Sequence, residues 1–346
     1  MSSLLDDLGA TVPIIAAPMA GGPTTPALVI AAAAAGAVGF LAAGYKTADA
    51  FAEQIAAVRA AGAPFGVNLF APNPVPVDPA EFRSYAQRLQ PEGERYGLDL
   101  AQTVLSVPVE DDDHWHEKVA VLLDDPVPIV SFTFGLPPAS DVRALRERGM
   151  LLVQTVTSAA EAQAATEAGL DALAVQASAA GGHSGTFTPQ RIPPPTPLIE
   201  LLAQVRAVTS LPLLAAGGLT TSQDVAAALH AGAVAVAVGT VLLSGDESGA
   251  SAPYKRTLAD PGDRQTVVTR AFSGRPARGL RNDFIDRYDA VAPLGYPAVN
   301  TLTTPLRRAA AAAGDAELIN LWAGTGFRHV RAEPVETILT RLAAGV

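Results

Sequence analysis

The chain contains no cysteine, which rules out disulfides, thiolate metal sites and a cysteine nucleophile. Aromatic residues are scarce at 5%, so alanine and the branched aliphatics must supply the core. Basic residues are in deficit, 24 Lys+Arg against 34 Asp+Glu for a net charge of −10, which disfavours nucleic acid or an anionic membrane surface as a partner. The N-terminus lacks a basic segment leading into an apolar one, so no signal peptide is expected. No uncharged apolar run lasts the roughly 18 residues of a membrane span without turn signals. The nearest, residues 27–43, is split by Gly36 and Gly39 and stopped by Gly44. H-E-x-x-H, G-x-x-x-x-G-K-[ST] and a G-x-S-x-G strand-to-helix turn are all missing, which removes zinc-protease, P-loop and nucleophile-elbow chemistries. The expectation is a cytoplasmic, soluble protein that acts on a small molecule.

What is present is a repeated unit. The chain has 346 residues, 49% of them hydrophobic, enough for a large core. Helical patterns end at Gly36, Gly62, Gly149, Gly169 and Gly232, where glycine accepts the left-handed conformation that closes a helix. Short apolar strands follow at 38–42, 65–69, 151–155, 172–176 and 234–238; further strands fall at 14–17, 129–132 and 213–216. Thr47, Ser158 and Thr221 each precede a helical pattern and can cap it. Nearly continuous apolar strands signal a parallel sheet covered by helices on both faces. Eight of them, alternating with helices, predict an α/β fold of the (β/α)8 TIM-barrel type; an open doubly wound sheet is the other reading. The barrel is expected to occupy residues 1–245, with an insertion after strand 3 at about 71–126 that holds an extra helix or two. Residues 246–346 are expected to form a mainly helical extension packed on the barrel mouth.

Barrel chemistry sits on the loops after the strands. Gly181-Gly182 precede His183; Gly217-Gly218 and Gly239-Thr240 follow the last two strands. Glycine pairs let backbone approach a ligand, and loops after the last strands with a helix N-terminus suit a phosphate. Tight turns without a ligand are the alternative. Asn68 and Gln176, at strand ends, offer amide donors and acceptors to a ring edge, and Met19 offers a soft face unless it is plain core. The acidic run 110–113 is read as a solvated face, and His114 and His116 as solvated side chains, so no metal site is expected.

The segments APMAGG, GFLAAGY, VNLF, SFTFG, AGGH, AAGG, AVGT, PAVNTLTTPLR and LWAG together resemble the nitronate monooxygenases, formerly 2-nitropropane dioxygenases, over nearly the whole chain. The resemblance implies an FMN-containing barrel that oxidises alkyl nitronates, typically propionate 3-nitronate, with O2 to a carbonyl compound and nitrite. It implies FMN contacts at Asn68, Gln176, Gly181, Gly218 and the turn Ala237, Val238, Gly239, Thr240. Met19, Gly182 and Gly217 join them on the reading of the loops. His183 takes the place of the active-site histidine. Ala177 and Ala179 replace the commoner Gly and Glu, and Thr133 stands where some relatives carry His, so the mouth is less polar. Thr133, Tyr296 and Trp322 are candidates for shaping the substrate pocket. The flavin-dependent enoyl-ACP reductases share fold and AGGH motif, so an NAD(P)H-dependent enoyl or quinone reductase is an alternative, and a non-enzymatic flavin or phosphate binder another. A homodimer is left open.

Overall fold

The computed structural model describes residues 9–100 and 111–344. The signal-peptide reading falls on residues 1–8 and one member of the acidic run, Glu110, on the other gap; both lie outside the described residues. Strands β1 (Ile14–Ala16), β2 (Val38–Ala42), β3 (Phe65–Phe70), β4 (Ile129–Thr133), β5 (Leu151–Val156), β6 (Ala172–Gln176), β8 (Leu213–Ala216) and β9 (Ala235–Val238) close into a barrel in chain order. Every pairing in it is parallel, and Ile15 beside Ala237 completes the ring. The predicted (β/α)8 barrel is present, and the open sheet is excluded by that closure. Ile15, Phe40, Ile129, Val153 and Leu214 fill its interior.

The helices between these strands are α1 (Pro26–Ala34), α2 (Ala48–Ala60), α4 (Trp115–Asp124), α5 (Ala139–Glu147), α6 (Ala159–Glu167), α7 (Leu198–Arg206) and α8 (Ser222–His230). Local chemistry sets their ends. Thr47, Ser158 and Thr221 each accept an N–H from three residues on, as a cap does. The glycines that close five of the helices all have positive φ, between 67° and 95°. No described helix is long and apolar enough to cross a membrane.

The insertion holds α3 (Pro79–Glu94), followed by α4, which returns the chain to β4. The part after β9 holds α9 (Ala252–Ala259), α10 (Asp283–Tyr288), α11 (Ala298–Ala312) and α12 (Val335–Ala343). These two regions share one hydrophobic core: Phe82, Tyr85 and Leu89 pack with Phe272, Leu302 and Leu306. Tyr85 also donates to the Ala271 carbonyl at 2.6 Å. The buried Glu92 carboxylate accepts from Arg95 at 2.6 Å, from Tyr288 at 3.1 Å and from Arg287.

The extension is helical as expected, but it also contains β10 (Thr266–Thr269) and β11 (Ala277–Leu280). Sequence periodicity did not reveal them, because each is only four residues long and β11 bears arginine and glycine, which resemble loop. With β7 (Gly182–His183) they form an antiparallel sheet in which Ala277 pairs with His183 and Arg278 with Gly182. The loop after β6 is thereby stitched to the extension. A second seam lies beside it: a Cβ on Gly181 would stand 2.5 Å from the Gly324 nitrogen and 2.6 Å from the Ala323 carbonyl carbon. Gly181→Ala must therefore push backbone aside. We expect it to cost about 1–3 kcal/mol, the usual range for overpacking, as a lower denaturant midpoint with unchanged helix content. A midpoint equal to wild type would show that the seam is loose.

Candidate active site

A cavity of about 800 Å³ opens at the C-terminal ends of the barrel strands. Met19, Asn68, Thr133, Gln176, Gly181, Gly182 and His183 line it, as do Gly217, Gly218, the turn Ala237 to Thr240, and Trp322. Among the residues picked out from sequence, only Tyr296 is absent from this wall. It stands behind His183, with ring centroids 5.8 Å apart, and lines a small neighbouring pocket.

One end of the cavity is glycine. Gly217 and Gly218 hold φ of 107° and 79°, a region closed to most side chains. A Cβ on Gly239 would touch the Met19 sulfur at 3.5 Å. Thr240 turns its hydroxyl to accept the Gly324 N–H at 3.0 Å, closing the C-terminal segment over this end. The expected helix N-terminus is partly occupied. Asp224, inside α8, accepts the N–H groups of Thr220 at 3.0 Å and Thr221 at 2.9 Å. Burial raises the Asp224 pKa, but the hydrogen bonds from Thr220 and Thr221 outweigh it and hold the carboxyl below its ordinary value. The exposed donors at this end therefore belong to the glycines.

The other end is aromatic. His183 lies among Trp322, Phe134 and Tyr296, at ring distances of 5.4, 5.8 and 5.8 Å. Its Nε2 is 2.7 Å from Ser273 Oγ, which in turn donates to the Arg275 carbonyl at 3.3 Å. In the tautomer that donates from Nε2 to Ser273, Nδ1 is left as an acceptor. Arg275 is fully buried. Its guanidinium stacks 4.0 Å from the Phe134 ring and donates to the Thr186 and Phe134 carbonyls. Phe134 itself is held at φ 86°, a strained position for an aromatic residue.

The two amides differ in employment. Asn68 donates to Ser131 Oγ at 2.9 Å and Thr133 Oγ1 at 3.0 Å, across the strand ends. Gln176 spends its amide on the strap that carries the histidine: Nε2 donates to the His183 carbonyl at 3.2 Å, and Oε1 accepts the Gly185 N–H at 2.7 Å. Glu161 anchors the same strap by accepting from Thr186 Oγ1 at 2.7 Å and Phe187 N–H at 2.8 Å. The acidic run is less solvated than expected. Asp113 pairs with buried Lys118 at 2.7 Å and accepts the Tyr45 N–H at 2.7 Å, so Asp113 and His114 stand at the cavity wall. No group of three or more metal-ligating side chains exists among the described residues.

Ser273, Arg275, Tyr45, Phe134 and Arg307 were not singled out from sequence. The arginines had one visible signal: each sits in a stretch without an acid, FSGRPA and TTPLRR.

The comparisons follow from this geometry. The family model described as nitronate monooxygenase matches residues 2–345. The chain belongs to the nitronate monooxygenase family. A probable nitronate monooxygenase of Staphylococcus aureus (strain MSSA476) is 36% identical over 335 residues, 95% of this chain and 93% of that protein. The crystal structure of nitroalkane oxidase from Streptomyces ansochromogenes superposes with a TM-score of 0.92 at 45% identity, covering 99% of this chain and 97% of that one. FabK from Thermotoga maritima aligns at TM-score 0.74 and 26% identity, over 99% of this chain and 95% of its own. The chain is thus a flavin-dependent oxidoreductase of this family.

Burial, and after it the charges of Arg275 and Arg307, together lower the His183 pKa from 6.5 to about 3. The imidazole is neutral at any physiological pH. The unfolded chain binds this proton near pH 6.5, the folded one only near pH 3, so acid favours unfolding. The group costs nothing above pH 6.5; its destabilising contribution grows as pH falls from 6.5 towards 3. His183→Asn should therefore lose less stability than wild type between pH 6.5 and 5, read as urea midpoints; identical pH slopes would mean that His183 titrates normally.

Proposed function

We propose that this protein is an FMN-dependent nitronate monooxygenase, with FMN phosphate at the Gly217-Gly218 and Gly239-Thr240 end and substrate at the His183 end. The observation that carries the reading is one cavity with a side-chain-free cradle at one end and a desolvated, neutral imidazole at the other. The residues fit the cofactor. Left-handed glycines present backbone N–H groups without Cβ atoms, as a phosphate in an acidic protein requires. Met19 and Asn68, on the wall of the same cavity, would then stand beside the ring. A dinucleotide cofactor would need a second cradle, and the G-x-G-x-x-G fingerprint is missing.

Bound FMN supplies the one-electron chemistry between substrate and O2. The protein's part is to bind and orient. A nitronate is already a carbanion equivalent, so no strong base is required. His183 Nε2 is tied to Ser273 and Nδ1 is free to accept. Neutral Nδ1 can take the α-proton of a nitroalkane; with a nitronate, the imidazole only positions the nitro group. Trp322, Phe134 and Tyr296 exclude water around it. Arg275 and Arg307 give the site a positive potential that favours an anionic substrate over its neutral acid. Alkyl nitronates of the propionate 3-nitronate type are the substrates this arrangement serves, yielding carbonyl compound and nitrite with O2.

The protein should purify yellow and release FMN, not FAD, on denaturation. Gly218→Val places a branched side chain at φ 79° against Ala179; flavin should be lost, and a mutant that stays as yellow as wild type would put the cradle elsewhere. His183→Ala should keep FMN. Oxygen uptake with the nitronate should drop by at least about tenfold, and with the neutral nitroalkane by more, on the order of 10²-fold. Equal nitronate rates would remove His183 from the active site. Rapid anaerobic bleaching by NADH would instead favour the reductase reading.

A further inference from the structure

The strap that carries His183 rests on a cation that does not line the cavity. Arg275 sits between β10 and β11 and is fully buried. Its Nε donates to the Ser184 carbonyl at 3.5 Å. Its Nη2 donates to the Thr186 carbonyl and to the Phe134 carbonyl, the latter at 3.4 Å. The guanidinium carbon stands 4.0 Å from the Phe134 ring centroid and 5.9 Å from that of Tyr296. Nη1 has no hydrogen-bond partner among the described residues.

Taking a charge out of water is costly unless a counter-charge or good hydrogen bonds replace the lost hydration. Elsewhere in this chain the protein provides the counter-charge: buried Lys118 has Asp113, and Glu92 has Arg95 and Arg287. Among the described residues no carboxylate lies within ion-pairing distance of Arg275. The acid whose charge acts on it is Glu161. That carboxylate already accepts from the N–H and hydroxyl of Thr157, the Thr186 hydroxyl and the Phe187 N–H. Burial accordingly pulls the Arg275 pKa down to about 10. Arg307, the other cation near His183, is also held by neutral groups, the side chains of Asn300, Thr303, Thr304 and Asn320, but it lies on the cavity wall. An apolar side chain could fill the space of Arg275. It could not hold three carbonyls at once.

Those carbonyls surround the histidine. Ser184 directly follows His183, and Thr186 is two residues further on. Phe134 leaves β4 at φ 86°, and its carbonyl is shared between Arg275 and Asn73 Nδ2, the latter at 2.7 Å. The Phe134 and Tyr296 rings each stand 5.8 Å from the imidazole, so the rings that flank the guanidinium also flank His183. The Arg275 backbone takes part as well. Its carbonyl accepts from Ser273 Oγ at 3.3 Å, and that oxygen lies 2.7 Å from His183 Nε2. One residue therefore holds the backbone after the histidine, the rings beside it and the hydroxyl on its Nε2. A lysine has neither a plane to stack nor a fork to bridge carbonyls.

We propose that Arg275 is a positioning residue for proton abstraction: its fork and its stacked plane fix the strap so that His183 keeps Nε2 on Ser273 and turns Nδ1 to the substrate. Arg275 itself touches neither substrate nor cofactor. In the step it serves, the α C–H bond of a nitroalkane breaks, the proton passes to Nδ1, and the electron pair moves into the nitro group to give the nitronate. A nitronate supplied as substrate skips this step. The proposal rests on the reading that His183 is the base of this site.

The test compares nitroethane with ethyl nitronate in oxygen uptake by the flavin-loaded enzyme. Arg275→Met should lower kcat on nitroethane by at least about tenfold with KM within about threefold, and leave ethyl nitronate within about threefold. Arg275→Lys keeps the charge without the fork and should recover only part of the loss. Equal losses on both substrates would mean general damage to the site and would overturn the proposal. No loss on nitroethane, or full recovery with lysine, would overturn it too.

A second measurement does not depend on turnover. Isotope-edited NMR of labelled imidazoles in the flavin-loaded protein, with the His183 signal assigned through His183→Asn, should show one tautomer in wild type, protonated at Nε2. Exchange between both tautomers should appear in Arg275→Met and in Arg275→Lys, and the lysine variant carries the test where the methionine variant fails to take up flavin. That pattern with no turnover of nitroethane by wild type would keep the positioning role and sink the reaction assigned to His183. One unchanged tautomer in wild type and variants would sink the positioning role itself.

Discussion

The structure depends on the backbone seam between the strap after β6 and the C-terminal part of the chain. Gly182 and His183 pair with Ala277 and Arg278 as strands, and Gly181 lets residues 323–324 pass at a distance that no Cβ would permit. Besides that seam, the loop that carries the histidine is held by hydrogen bonds with Gln176, Glu161, Asn73 and Arg275. With the seam, the imidazole is fixed at Ser273, and three aromatic rings, Phe134 just after β4, Tyr296 just before α11 and Trp322 in the C-terminal segment, close around it. Paired glycines are commonly read as room for a ligand. Here both line the cavity, and the first of them also makes room for protein.

Electrostatics follow from the same closure. The net charge of the whole chain is −10, yet its innermost side chains around the site are cationic. Arg275 is held by carbonyl dipoles and the face of Phe134, and Arg307 by amides and hydroxyls. Neither is neutralised. Burial, with the charges of Arg275 and Arg307 added to it, keeps the histidine neutral, and an anion entering the pocket meets a favourable field in a poorly solvated space, where Coulomb terms are strongest.

The barrel was legible in the sequence because each β/α unit repeats the same local grammar, and a repeated pattern averages out the noise of any single strand. Gly36, Gly62 and Gly232 mark helix ends for a purely local reason, and the caps at Thr47, Ser158 and Thr221 are equally local. The glycine cradle and His183 were legible for the same reason: their chemistry lies in adjacent residues. What sequence could not supply was contact between distant segments. Ser273 is 90 residues from the histidine that it fixes. Gln176 looked like a ligand contact, yet its amide is occupied seven and nine residues further on. Strands β10 and β11 are too short to announce themselves, and the arginines gain meaning only once their neighbours are known to be neutral.

The shared core of α3 with the extension has a consequence for the order in which the protein is made. Its ties bridge long stretches of chain: 186 residues separate Tyr85 from Ala271, and 195 separate Glu92 from Arg287. Chains emerge from the ribosome N-terminus first. Once β9 is out, the barrel can close, but α3 has nothing to pack against and the mouth has no outer wall. That wall arrives with the last quarter of the chain and is locked when Gly324 reaches Gly181 and Thr240. The last part of the chain to be made is thus the part that completes the wall around the cavity.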